Sequence, residues 1–214
     1  MVRLLIVRHG LSLTNKDKRY TGQTDIPLAP LGIAQGEAVS RYIAENYSVD
    51  AIYSSDLCRA VETLAPLGRI LSLPICKLAG LREFAMGEWE GKTYTEVKEL
   101  FPETCALLKT EKWRVRYDGG ESYEEMHRRV TAAFARIIAE NEGKTVAVAS
   151  HGGAIRMYLA TALGIPLQSV EKAPTVSNAS LTVVEIENGA ARIVLLGEDG
   201  FLAEQKFEVD KNLH

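Results

Sequence analysis

An α/β fold, with strands and helices alternating in layers, is what this sequence predicts. Three observations carry that expectation. The run Val2-Arg-Leu-Leu-Ile-Val-Arg-His-Gly10 is short, rich in Leu, Ile and Val and closed by glycine, the pattern of a strand buried on both faces. Thr145-Val-Ala-Val-Ala-Ser-His-Gly-Gly153 repeats that pattern far downstream. Between and after these runs, further strand-like stretches alternate with segments of helical apolar spacing, the order of a layered α/β domain. The 214 residues suit one domain with a substantial core, spanning 1–214 with a peripheral tail from about residue 200.

After the first strand, residues 11–29 are rich in Ser, Thr, Asn, Asp, Gly and Pro and read as a long surface loop, functional rather than merely connecting. Leu31 to Tyr47 carries Leu31, Ala34, Ala38, Tyr42 and Ile43 at helical spacing. Ala51 to Ser54 is a second strand. Ser55 or Asp56 is then placed to cap a helix bearing Leu57, Arg59, Ala60 and Leu64, which Pro66 is expected to kink or end. Pro74 to Leu78 makes a third, shorter strand, and Leu81 to Gly91 is a loop holding Glu83, Glu88 and Glu90. Two short helices, Thr95–Phe101 and Glu103–Lys112, flank Pro102. Ser122-Tyr-Glu-Glu125 is a capping box that opens a helix from Tyr123 to about Glu142, closed by Gly143. The strand Thr145–Ser150 and a helix Ala154–Leu163 follow, with Gly164 and Pro166 as stop signals. Asn188-Gly189 joins Leu181–Glu187 to Ala190–Gly197 as a hairpin.

Composition narrows the function classes. Charged residues make up 25% and hydrophobic residues 46% of the chain, an ordinary globular profile. A net charge of −3 argues against a nucleic-acid partner. No apolar run approaches the roughly 20 residues that span a bilayer, and the short apolar start lacks a cleavage site. Cys58, Cys76 and Cys105 are odd in number and widely spaced, which fits reduced thiols and a cytoplasmic location. The sequence does not fix the oligomeric state and leaves a homodimer open.

Ligands of open α/β sheets bind at the carboxyl ends of the strands. Two buried strands that each deliver a His-Gly to one sheet edge would bring His9 and His151 together. Around them lie Arg8-His9-Gly10-x-Ser12-x-x-Asn15, Thr21-Gly22-x-x-Asp25-x-Pro27-Leu28, Ser55-Asp56-Leu57-x-Arg59-Ala60-x-x-Thr63, Leu81-x-Glu83-x-x-x-Gly87-x-Trp89-Glu90-Gly91 and Ser150-His151-Gly152-Gly153. These five ordered motifs, with Gly120-Glu121-Ser122, resemble the histidine phosphatase (phosphoglycerate mutase-like) superfamily over about residues 2 to 197. Departures are small: Ser12 stands where Thr is more usual, and Ala29 replaces a helix-capping residue.

The resemblance implies a three-layer sandwich with a mostly parallel central sheet flanked by helices. It also implies a phosphatase that needs no cofactor and no metal ion and acts on a small phosphorylated metabolite. His9 would be the nucleophile and Glu83 the proton donor, with Arg8, Arg59 and His151, the last protonated, holding the phosphoryl oxygens. Asn15, Gly22, Gln23 and the Gly152 N–H would contact substrate. Without the motif, Glu83 could not be chosen over Glu88 or Glu90. Glu121 reads either as a carboxylate behind the site or as a helix-dipole residue. His127, beside Arg128 and Arg129, reads as solvated, and Trp89 as a packing residue. His9, His151 and Glu83 could be drawn as zinc ligands, but two neighbouring arginines oppose a cation. Gly87–Thr93 mimics a phosphate loop with the wrong spacing.

Within the family, mutases carry Glu after Arg-His-Gly, Asn after the second His-Gly, and a long insertion before the late Glu-Ser. Here Leu11, Gly153 and almost nothing occupy those places. Hydrolysis is therefore expected, of the α-ribazole phosphatase or broad-specificity kind, with mutase activity as the runner-up. A catalytically silent binding member is the alternative from another class. Residues 13–23, 84–88 and 112–117 are expected to set specificity, with Arg114 and Arg116 available for a carboxylate or second phosphate.

Overall fold

The computed structural model of the chain describes residues 1–16 and 19–203, apart from the side chains of 15 and 16. One sheet runs in the order β3-β2-β4-β1-β5-β6. Its strands are β1 (Val2–Arg8), β2 (Ala51–Ser54), β3 (Ile75–Lys77), β4 (Thr145–Ser150), β5 (Leu181–Glu187) and β6 (Ala190–Glu198). The pairs β3–β2, β2–β4 and β4–β1 are parallel, while β5 is antiparallel to both β1 and β6. Only β5 therefore runs against the rest. The helices are α1 (Leu13–Lys16), α2 (Pro30–Asn46), α3 (Cys58–Leu71), α4 (Tyr94–Leu100), α5 (Pro102–Thr110), α6 (Tyr123–Glu140) and α7 (Gly152–Ala162). Among the described residues, no helix is long and apolar enough to cross a membrane.

Period-two alternation along the central strands builds the three layers. Leu4, Ile6, Val146 and Val148 pack with Met126, Val130 and Phe134 of α6 and Ile155 and Leu159 of α7. Leu5, Val7, Ala147 and Ala149 pack on the other face with Val39 and Ile43 of α2 and Leu64 and Leu67 of α3. Both faces of β1 and β4 are thus buried, which is why these strands read as unbroken apolar runs.

The expected capping box holds: Ser122 accepts from the Glu125 amide while Glu125 reaches back to the Ser122 amide. Asn188 and Gly189 take positive φ of 51° and 79°, the turn such a two-residue hairpin requires. Other expectations are corrected. The cap of α3 is Leu57, with no side-chain cap bond. Asp56 is engaged by Arg82 instead. Pro66 lies inside α3 without ending it. Burial of Thr63, Leu64 and Leu67 on that helix outweighs the one hydrogen bond proline removes. The long loop after β1 contains α1 and a bridge from Ser12 to Leu28. At the start of the tail Leu202 is buried and Phe201 stacks on Tyr42 at 4.6 Å. His214 lies outside the described residues.

Candidate active site

Strand register brings the two histidines together. In the β1–β4 pairing Arg8 faces Ser150, and the His9 amide extends the ladder by donating to the Ser150 carbonyl at 2.9 Å. His9 and His151 then leave the same edge side by side, with ring centroids 5.1 Å apart and planes tilted by 58°. Both are buried.

The turn that carries His9 is tightly held. Nδ1 lies 2.7 Å from the Gly10 carbonyl. A carbonyl only accepts, so the proton sits on Nδ1 and Nε2 presents its lone pair. Asn178 donates to the His9 carbonyl at 2.8 Å. The Gly10 amide donates to Thr63 Oγ1, which itself donates to the Arg59 carbonyl at 2.7 Å. Gln35 accepts from the Leu11 amide. A Cβ on Gly10 would lie 2.5 Å from the Gly32 carbonyl, so α2 approaches this turn only because both residues are glycine.

Two guanidiniums flank the rings. Arg59, at 1% exposure, donates through its terminal nitrogens to the Gly22 carbonyl at 2.8 Å and the Thr24 carbonyl at 2.9 Å. Arg8 donates to the Val176 carbonyl at 2.7 Å and lies over Gly152, where a Cβ would come within 3.2 Å of its carbon. The Nε atoms of both arginines, and both ring nitrogens of His151, are buried and have no hydrogen-bond partner among the described residues. Burial lowers both guanidinium pKa values, yet arginine stays charged near neutral pH. Burial first, then the charges of Arg59 and Arg8, hold His9 well below the usual imidazole range. Burial, Arg59 and His9 do the same to His151. Burial first, and then the neighbouring cations, thus disfavour the proton that a phosphoryl-bound His151 is expected to carry. A dianion between them would reverse that balance.

Glu83 completes the pocket. Its carboxylate accepts from the Gly153 amide at 2.9 Å and the Phe84 amide at 3.0 Å. A Cβ on Gly153 would lie 2.3 Å from Glu83 Oε1, so the bare second residue of α7 is what lets this carboxylate reach the helix start. The three loop acids differ in their bonding. Glu90 accepts from the Gln23, Thr24 and Met86 amides and from the Thr24 hydroxyl. It brackets the very loop whose carbonyls hold Arg59. Glu88 is exposed.

The remaining expected residues divide. Gly22 is buried at φ +53°, and it serves Arg59 through its carbonyl. The Gln23 side chain donates through Nε2 to the Glu83 carbonyl at 3.0 Å. Gly152 opens α7 behind His151. The side chain of Asn15 lies outside what is described. Arg114 and Arg116 are exposed and paired with Glu111 and Glu125 respectively. Trp89 is buried among Tyr20, Phe101 and Tyr117. His127 bonds to Thr161 at 2.9 Å on the surface between α6 and α7. Asn178, Gln35 and Arg129 carry no sequence signal for these roles, because each acts on backbone distant in the chain; Thr63, which acts in the same way, lies in a motif.

Fold and pocket define a class: an α/β protein with paired imidazoles and paired guanidiniums converging at the carboxyl ends of adjacent parallel strands. The chain belongs to the histidine phosphatase superfamily, branch 1, whose family model matches residues 4–199. It is 34% identical over 201 residues to the bifunctional protein Rv2228c of Mycobacterium tuberculosis, covering 94% of this chain but 55% of that one. The chain thus spans about half the length of the first curated relatives it matches. With phosphoserine phosphatase 1 of Hydrogenobacter thermophilus it shares 29% identity over 99% of both chains. The solved mycobacterial glucosyl-3-phosphoglycerate phosphatase Rv2419c, in complex with VO3, superposes with a TM-score of 0.84 at 28% identity, covering 92% of this chain and 99% of that one.

Proposed function

We propose that the protein hydrolyses the phosphoric monoester of a small metabolite through a phosphohistidine on His9, in the manner of an α-ribazole or broad-specificity phosphatase. One observation carries this reading: a neutral imidazole with its lone pair free, enclosed by buried donors that lack acceptors. That is a receptor for a phosphoryl group with a nucleophile in its floor. His9 Nε2 attacks phosphorus and the P–O bond to the leaving group breaks. Glu83 supplies the proton that leaves with the alcohol. Water then attacks the phosphohistidine and returns a proton to Glu83, releasing inorganic phosphate and restoring the imidazole. Arg8, Arg59 and His151 bear the charge on the nonbridging oxygens. Relatives named as phosphatases of small phosphorylated compounds support the substrate class.

The runner-up is a mutase, which must keep water from its phosphohistidine while the intermediate turns. The chain between the single 3₁₀ turn Lys112–Arg114 and α6 argues against that. It closes as a tight turn, with the Gly120 amide donating to the Tyr117 carbonyl, set directly on the loop after Glu83. The purified protein is expected to release inorganic phosphate from its best substrate much faster than it interconverts 3- and 2-phosphoglycerate, with or without the 2,3-bisphosphate. A panel of phosphometabolites followed by phosphate release and product analysis checks this. Interconversion that outruns release would establish the mutase, and neither activity on any ester would favour the silent binding member.

A further inference from the structure

Arg129 stands on α6, on the far side of the acidic loop from the imidazoles, and all five of its N–H donors are used. Nε and one terminal nitrogen bind the Glu121 carboxylate, at 3.2 and 2.5 Å. The other terminal nitrogen donates to the carbonyls of Gly80, at 3.0 Å, and Arg82, at 2.9 Å. The remaining donor reaches the carbonyl of Glu83 itself at 3.2 Å. Glu121 in turn accepts from the Ala85 amide at 3.0 Å. The main chain on both sides of Glu83 is thus fixed by one ion pair, which is mostly buried, with side-chain exposures of 23% and 14%. Gly80 allows the close fit, since a Cβ there would meet that of Ala133, one turn along α6 from Arg129. From the opposite side Gln23 also donates to the Glu83 carbonyl.

We propose that Arg129, braced by Glu121, is a positioning residue for the Glu83 carboxylate and so governs proton delivery to the leaving group. The inference rests on Glu83 being the proton donor. The hydrogen bonds of Arg129 all go to the acidic loop and Glu121; its charge is the last and smallest of those that lower the pKa of His151, and Arg129→Lys keeps that charge. The phosphoryl clamp has separate supports, in Gly22, Thr24 and Val176. Loss of Arg129 should therefore act on proton transfer through Glu83 rather than on the hold on the phosphoryl oxygens. Lysine cannot substitute, because a point charge does not span three carbonyls and a carboxylate.

The test compares an alkyl phosphate, whose leaving oxygen needs a proton, with p-nitrophenyl phosphate, whose leaving group barely does. Arg129→Lys is expected to slow the alkyl ester about tenfold to a hundredfold, the scale of a small misplacement of a reacting group, and p-nitrophenyl phosphate far less. The pH profile of kcat should shift with it for the alkyl ester. Glu121→Gln, which keeps the shape and loses the charge, should move the same ratio in the same direction by less, and serves if Arg129→Lys does not fold. Equal losses on both esters in these variants would overturn the inference, since a merely loosened fold would give that. Glu83→Gln is the control. If it shows the split while the Arg129 and Glu121 variants do not, the positioning role alone fails. If Glu83→Gln shows no split, the assignment of Glu83 falls and the inference with it.

Discussion

His9→Ala is expected to abolish turnover by well over about a thousandfold, because removing a covalent nucleophile disables a unit whose other members cannot act without it. The geometry makes the loss specific to chemistry. The turn is held by Asn178, Thr63 and Gln35 through main-chain groups that alanine retains, so folding and anion binding should survive. A rapidly quenched reaction of the unaltered protein should carry acid-labile, base-stable phosphate on the peptide containing His9, and the variant should carry none. The pH dependence has a definite sign. Protonation removes the lone pair, and burial with Arg59 and Arg8 sets the pKa of His9 well below 6.5. The neutral nucleophile therefore persists as pH falls through 6.5, and any acid limb of kcat/KM due to His9 must lie well below that value. Comparable turnover in His9→Ala, or a limb centred at an ordinary histidine value, would contradict the assignment.

Arg59→Ala is expected to cost about 10²–10³ in kcat/KM, the scale for losing one preorganised donor to a charged transition state, and Arg8→Ala and His151→Ala a similar amount each. Arg59 should be the least replaceable. Its fork is fixed by two carbonyls, so Arg59→Lys keeps the charge and loses the aim. Vanadate inhibition, which samples a trigonal-bipyramidal phosphorus geometry, should weaken in proportion to the rate. Chelators should leave activity unchanged. Activity lost to a chelator and restored by a metal ion would favour a cation at His9, His151 and Glu83 instead.

What could be read from the chain and what could not follow from the range of the interactions. The His-Gly ends of β1 and β4, the Ser122 box and the Asn188-Gly189 turn are local signals, and each appears where its residues place it. Parallel neighbours with aligned register then make the meeting of His9 and His151 a geometric consequence. Arg129 offered no such signal: an arginine beside another arginine on an amphipathic helix looks solvated until the loop at residues 80–83 folds over it. Asn178 likewise acts across 169 positions of sequence. Pro66 misled in the opposite direction, since a local rule was outweighed by tertiary burial. The proton affinity of His151 is likewise invisible locally, because it is set first by burial and then by charges that the fold brings from Arg59, His9 and Arg8.

The unpartnered Nε atoms of Arg8 and Arg59 and the bare ring of His151 have a thermodynamic side. Each buried donor left without an acceptor costs the native state about 1–3 kcal/mol, so the fold is held below the stability its core alone would give. An oxyanion that satisfies these groups returns that energy as affinity. At a hundredfold excess over Kd, a tight ligand should stabilise the protein by about 2.7 kcal/mol, raising the unfolding midpoint by roughly 5–10 °C for a chain of this size. Thermal melting therefore ranks candidate metabolites by how completely they fill the pocket, even in the His9→Ala protein, where no reaction consumes them.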